Sequence, residues 1–204
     1  MTSETGLRIG VLGPLLVIHD GTPVRLPRSR ARILLAVLAM SAGQPVSAAR
    51  LADMVWGDDQ PEHWRASLQT VAARLRGVLP GTVVTASDGY LLDTDPDHVD
   101  ALRFRRLVRE ASRARDPALT TGLLNQAMSL WRGEPLADLR STALLRHVAP
   151  GLTDEYLSAV QQRAGLELAA GGGDRVISQL RDLTSRYPLR ESLWDQLLRA
   201  LADA

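Results

Sequence analysis

Strand-forming sequence ends near residue 92 of this 204-residue chain, and only helical patterning follows. Any β-sheet must therefore be small and confined to the first part of a mainly α protein. Residues 7–18 are rich in β-branched and aliphatic side chains, broken by Gly13-Pro14, and Asp20-Gly21 precedes a second short run at 23–26. This order predicts a small antiparallel meander with a tight Asp-Gly turn. Ser29 is placed to cap a helix carrying Ile33, Leu34, Val37 and Leu38, ended by Gly43. Ser47 caps a second helix with Leu51, Met54 and Val55, closed by Trp56-Gly57. A third helix is predicted over residues 62–79, with Leu68, Ala72, Leu75 and Leu79 on one stripe and Pro80-Gly81 as its stop. Val83-Val84-Thr85 and Tyr90-Leu91-Leu92, joined by Ser87-Asp88-Gly89, then read as a β-hairpin.

Asp95-Pro96-Asp97 marks a connector. Beyond it helices are predicted at 100–115, 117–131, 149–170, 174–187 and 190–202, separated by Gly133-Glu134-Pro135, Gly171-Gly172-Gly173 and Pro188. Successive helix pairs of this length point to a tetratricopeptide-like array. The last helix runs to the chain end with no helix after it to pair with, as expected of a truncated chain or a short member of its class. The fold expected is a winged helix-turn-helix domain over residues 1–94, followed by an all-α helical domain over 97–204.

Composition removes several chemistries. There is no cysteine, so disulfides, thiolate metal sites and cysteine nucleophiles are excluded. All 24 basic residues are arginine, which excludes a Walker-type phosphate loop and a lysine Schiff base. Each cation is instead a planar fork suited to phosphate or guanine. His19, His63, His98 and His147 lie far apart, with no pair at ligand spacing, so neither a metal nor a cofactor is expected. No apolar run reaches the ~20 residues of a membrane span, and residues 1–6 lack the pattern of a signal peptide. These features predict a cytoplasmic, nucleoid-associated protein. Residues 1–87 hold nine arginines against six acidic residues, a modest local excess of three positive charges.

Three helices followed by a hairpin is the order in which the last helix enters the DNA major groove. Rotating the third helix by ~100° per residue puts His63, Ala66, Thr70, Ala73 and Gly77 opposite the leucine stripe, with Trp64 and Val71 at the stripe's edge. Ser67 and Arg74 flank the exposed face on one side, Gln69 and Arg76 on the other. Small residues let a backbone sit deep in a groove ~12 Å wide while arginines reach its walls. The plainer reading of the same face is packing against another helix.

The chain also carries Ile9-Gly10-Val11-Leu12-Gly13-Pro14-Leu15, Arg30-Ala31-Arg32-Ile33-Leu34-Leu35-Ala36, Leu51-Ala52-Asp53-Met54-Val55-Trp56-Gly57 and Gly89-Tyr90-Leu91-Leu92. Later come Val99-Asp100 with Phe104, Leu130-Trp131-Arg132-Gly133, and Tyr187-Pro188-Leu189-Arg190-Glu191 with Leu193-Trp194. Together these resemble the Streptomyces antibiotic regulatory protein family, an OmpR-type winged helix joined to a bacterial transcriptional activator domain. The resemblance covers nearly the full length. It implies a non-enzymatic activator of secondary-metabolite gene clusters that binds direct repeats in double-stranded promoter DNA and recruits RNA polymerase, with a homodimer expected on DNA. It places Ser67, Gln69, Thr70, Arg74 and Arg76 toward DNA, and Arg28, Arg30 and Arg50 toward phosphates. Asp58 and Asp59 become polymerase-contact candidates; capping of the third helix is their plainer role. Two departures stand out. OmpR-type hairpins usually carry an arginine before their Gly-Tyr, where this chain has Ala86-Ser87-Asp88, and Ala73 occupies a position that is often arginine. The rival reading is a protein-interaction adaptor on a helical scaffold.

Overall fold

The computed structural model describes residues 6–26 and 30–203. Ser29 and Arg28, expected as a helix cap and a phosphate contact, lie outside the described residues. The chain separates into two compact units: Met1–Arg105 with Leu130–Thr153, and Arg106–Ser129 with Asp154–Ala204. This differs from a single cut at residues 94–97, because a stretch far along the chain completes the first unit.

Within that first unit, β1 (Leu7–Gly10), β2 (Leu16–His19) and β3 (Thr22–Pro23) form an antiparallel sheet in that order. His19 pairs with Thr22 across the two-residue Asp20-Gly21 turn. Both turn residues have positive φ, 47° and 75°, which matches the right-handed twist of the strands and explains Asp-Gly there. Helices α1 (Arg30–Ala39), α2 (Ala48–Trp56) and α3 (Trp64–Val78) follow. Eight of the ten residues of α1 are buried, so it is the central rod of the unit rather than a surface helix. Ser47 caps α2 as expected, accepting from the Arg50 N–H at 3.3 Å.

A second sheet has the order β4-β6-β5, with β4 (Val46–Ser47), β5 (Val83–Ala86) and β6 (Gly89–Leu92). β5 and β6 form the expected hairpin about Ser87-Asp88. A side chain at Gly89 would collide with the Val46 carbonyl oxygen, so the close crossing of β4 requires glycine here.

The returning stretch is tied by its backbone to the connection between β1 and β2. The Arg132 N–H donates to Leu12 O (2.8 Å), and the Leu136 N–H lies between Val11 O (3.2 Å) and Gly13 O (2.8 Å). Leu136 is fully buried at φ 56°, a strained setting for leucine that its packing maintains. Asp138 accepts from the Leu15 N–H at 2.8 Å and pairs with Arg32. The Ser141 hydroxyl donates to Met54 O (2.8 Å) and caps a short helix, α6 (Thr142–His147), that periodicity had not revealed. Asp100, its side chain 12% exposed, accepts from the Val11 and Leu12 N–H groups at 2.7 and 3.1 Å and faces Arg132 Nη2 at 3.4 Å. Burial pushes its carboxyl above the usual range, outweighing these bonds and the arginine charge.

α4 (Asp100–Arg113) and α7 (Ala149–Ala169) each run from the first unit's stretches into those of the second, which also contains α5 (Pro117–Ser129), α8 (Asp174–Arg186) and α9 (Glu191–Ala202). Its main core cluster is apolar: Leu157, Val160 and Ala164 of α7 meet Val176, Leu180 and Leu183 of α8 and Leu193, Leu197 and Ala200 of α9, while Thr120 and Thr184 are buried as well. No helix of the described residues is long and apolar enough to cross a membrane.

Candidate nucleic-acid interface

The sequence stripe on α3 is its buried side. Leu68, Ala72 and Leu75 are nearly inaccessible, as is Leu79 just beyond the helix, and Val71 joins them rather than sitting at the edge. The opposite face is exposed through Ala66, Gln69, Thr70, Ala73, Arg74 and Gly77. A ridge of small side chains therefore faces solvent on a helix that the core holds along its whole length.

The cations on this helix fall into different roles. Arg74 is exposed and makes no ion pair or hydrogen bond through its side chain among the described residues. Arg76 is spent within the unit. Its Nε–H donates to Val83 O (2.8 Å), its Nη2–H to Thr85 Oγ1 (2.7 Å), and the guanidinium lies 5.4 Å from the Tyr90 ring centroid. It is a strut between α3 and the β5–β6 hairpin. Arg65, which rotation alone had not singled out, stacks 4.3 Å from the Trp64 ring centroid in the first turn and is exposed. No sequence signal places it on the exposed face, since it lies two residues, about 200° of helix rotation, from His63.

Of the other residues expected here, Ser67 is half-buried and Gln69 is exposed. The Thr70 hydroxyl donates to Ala66 O at 3.0 Å, leaving only its lone pairs for a partner. Arg50 is exposed on α2, away from the α3 ridge in sequence but at a helix start, where its own N–H is capped. Arg30 lies 5.5 Å from the Trp56 ring centroid. Asp58 and Asp59 occupy a 3-10 turn, Gly57–Asp59. They do not cap α3, which begins two residues later than expected from residue 62, with His63 at its cap position and no side-chain bond there. Asp88 is exposed at the tip of the hairpin, so the turn brings no cation forward. Among the described residues no group of three His, Asp or Glu side chains is placed to hold a metal.

Residues 99–204 match the family described as the bacterial transcriptional activator domain. The chain is 31% identical to the regulatory protein DnrI of Streptomyces peucetius, over 96% of this chain and 77% of that protein. It is 34% identical to the transcriptional regulator RedD of Streptomyces coelicolor, over 96% of this chain and 59% of that one. The solved structure of Mycobacterium tuberculosis EmbR in complex with a low-affinity phosphopeptide superposes with a TM-score of 0.85 at 32% identity, covering 97% of this chain and 55% of that protein. The chain thus spans little more than half the length of several of its relatives. Sequence and structure together place this chain in the Streptomyces antibiotic regulatory protein family, as a regulator whose residues 99–204 are a bacterial transcriptional activator domain.

Proposed function

We propose that this regulator is a sequence-specific DNA-binding transcription activator, with α1–α3 and the β5–β6 hairpin acting as an OmpR-type winged helix-turn-helix. The observation that carries the reading is the exposed ridge of α3, small at its centre and edged by the unengaged guanidinium of Arg74. Such a ridge seats a helix in the major groove, where an arginine fork reads guanine bidentately. Arg65 and Arg50 supply phosphate contacts at two helix starts. Arg76 contributes by fixing the hairpin against α3 rather than by reading a base. With Asp88 at its tip, the hairpin supplies shape, and α3 carries the sequence reading.

The same proposal assigns DNA contact to residues 1–94 and helical scaffolding of tetratricopeptide type to residues 97–204, which mediate dimer contacts. It has the homodimer bind direct repeats in promoters of a secondary-metabolite cluster, in the cytoplasm at the nucleoid. RNA polymerase is recruited in part by Asp58 and Asp59. No enzymatic step is needed.

The test is duplex binding at several salt concentrations. Arg74→Ala should cost about 1–3 kcal/mol and relax specificity at one base pair. Arg76→Ala should lower affinity with no change in the salt slope, because it removes no phosphate contact. Unchanged affinity in Arg74→Ala would remove α3 as the recognition helix. The adaptor reading has one observation in its favour, the exposed Trp194, Leu198 and Leu201 along α9. It predicts no salt-dependent duplex affinity at all.

A further inference from the structure

Positive charge is gathered in one short stretch of this chain. Residues 103–115 hold six arginines against a single glutamate, an excess of five in a protein whose net charge is +1. The rest of the chain therefore carries a net charge of −4. The stretch runs along α4 and two residues past its end, apart from α3 and from the other arginines assigned to DNA above.

Folding does not account for this concentration. The apolar side of α4 is buried through Ala101, Phe104, Leu107 and Ala111. Arg105, Arg109 and Arg113 follow at four-residue intervals and so share a face, where like charges destabilise a helix. A merely solvated face would mix signs, as Arg106 and Glu110 do in their 2.7 Å pair. Arg109, Arg113 and Arg115 are exposed, and none makes a side-chain hydrogen bond or ion pair among the described residues. The acid that follows them, Asp116, has its carboxylate turned to the Ala118 and Leu119 N–H groups at 3.1 and 3.3 Å. All three free arginines belong to the second unit.

We propose that this row holds the phosphate backbone of duplex DNA, giving the activator-domain half a sequence-independent grip. The inference rests on the DNA-binding reading above and extends it from α3 to the second unit. Residues four apart on a helix are separated by ~6 Å along its axis. One DNA strand presents a phosphate every ~3.4 Å of its axis, so each step of the row spans about two phosphates. A guanidinium fork matches a phosphate bidentately. The class of partner follows from what the face lacks. The exposed residues of α4 are Arg109, Ser112 and Arg113, with no apolar or aromatic anchor of the kind that carries a protein–protein contact. Contacts to phosphate need none.

The experiment titrates the full chain with a fluorescein-labelled duplex of random sequence at several salt concentrations. Arg109→Gln, Arg113→Gln and Arg115→Gln combined should weaken binding at least about tenfold. They should also lower the slope of log affinity against log salt by about two to three, as three lost phosphate contacts require. Each single variant should lower the slope by about one, which keeps the test open if the triple variant fails to fold by circular dichroism. The corresponding triple lysine variant should keep most of the slope, because the charge is retained. Arg181→Gln with Arg186→Gln, at exposed sites elsewhere in the same unit, should leave the slope unchanged. An equal fall there would reduce the effect to bulk charge and overturn the proposal. So would a slope that survives the α4 variants, while leaving α3 to be judged by Arg74→Ala. If those variants instead abolish binding of labelled poly-glutamate with the duplex slope intact, the row belongs to an acidic protein partner. A wild-type chain with no salt-dependent duplex affinity would remove the DNA reading and the row's role together.

Discussion

The two compact units solve the same problem with different chemistry. The second is held chiefly by helix-on-helix apolar packing, a cluster of Leu, Val and Ala from α7, α8 and α9, and its polar ties, such as Arg163 to Gln179 and Gln196 to Gln161 O, span 16 and 35 positions. The first needs polar ties between residues about 90 to 120 positions apart: Asp100 to the Val11 and Leu12 amides, Asp138 to the Leu15 amide and Arg32, Ser141 to Met54. Packing of periodic apolar faces tolerates many substitutions that keep volume and pattern. A buried carboxylate serving two backbone amides tolerates very few. The difference teaches that a helical array can be built from neighbours in sequence, whereas a sheet edge near the N-terminus waits for a partner from far along the chain.

The largest expected effect tests that dependence. Residues 1–96 produced alone should give no cooperative unfolding transition by circular dichroism, because they lack Phe104, Leu136 and Leu144, each fully or almost fully buried. Each such side chain is worth about 1.5–3 kcal/mol of burial. A sharp transition in that fragment would show the returning stretch to be an accessory. Next, Leu180→Ala in the apolar cluster should cost about 2–5 kcal/mol, read from the denaturant midpoint. A cost below 1 kcal/mol would break the picture of a packed second unit.

A smaller effect concerns Asp100, whose folded pKa is raised above 3.8 by burial. Its protonated form is the one favoured in the fold, so that contribution is present in full below pH 3.8 and is lost as pH rises through the raised value. Relative to Asp100→Asn, the wild-type chain should therefore lose stability across that window and run parallel above it. A wild-type advantage that grows with pH would reverse the sign. The smallest effect is expected at the exposed Asp195–Arg199 pair on α9: Asp195→Asn should change stability by about 0.5 kcal/mol or less.

Periodicity and turn chemistry made most elements legible. The leucine stripe of α3, the Ser47 cap and the Asp20-Gly21 turn are local features, and each is present as read. α6 was not legible, because six residues hold less than two helical turns of pattern and its cap bonds across to Met54. Arg76 shows the same limit at the candidate site. Rotation places it correctly at the edge of the exposed face, but only the hairpin's register reveals that Val83 and Thr85 occupy its donors. Asp100 stands in the sequence only as part of the Val99-Asp100 segment, since nothing local signals that its partners are the amides of Val11 and Leu12.

The returning stretch has a consequence for how the protein is made. A ribosome adds about 5–20 residues per second, so residues 130–153 emerge several seconds after the hairpin that ends at Leu92. During that interval the strands and helices already outside the exit tunnel lack the backbone that meets Val11, Leu12 and Gly13. The nascent chain passes through a stage in which α3 is complete and its sheet edge is bare. Translation speed between those two points therefore sets how long that edge is open to chaperones or to the same edge on a neighbouring nascent chain.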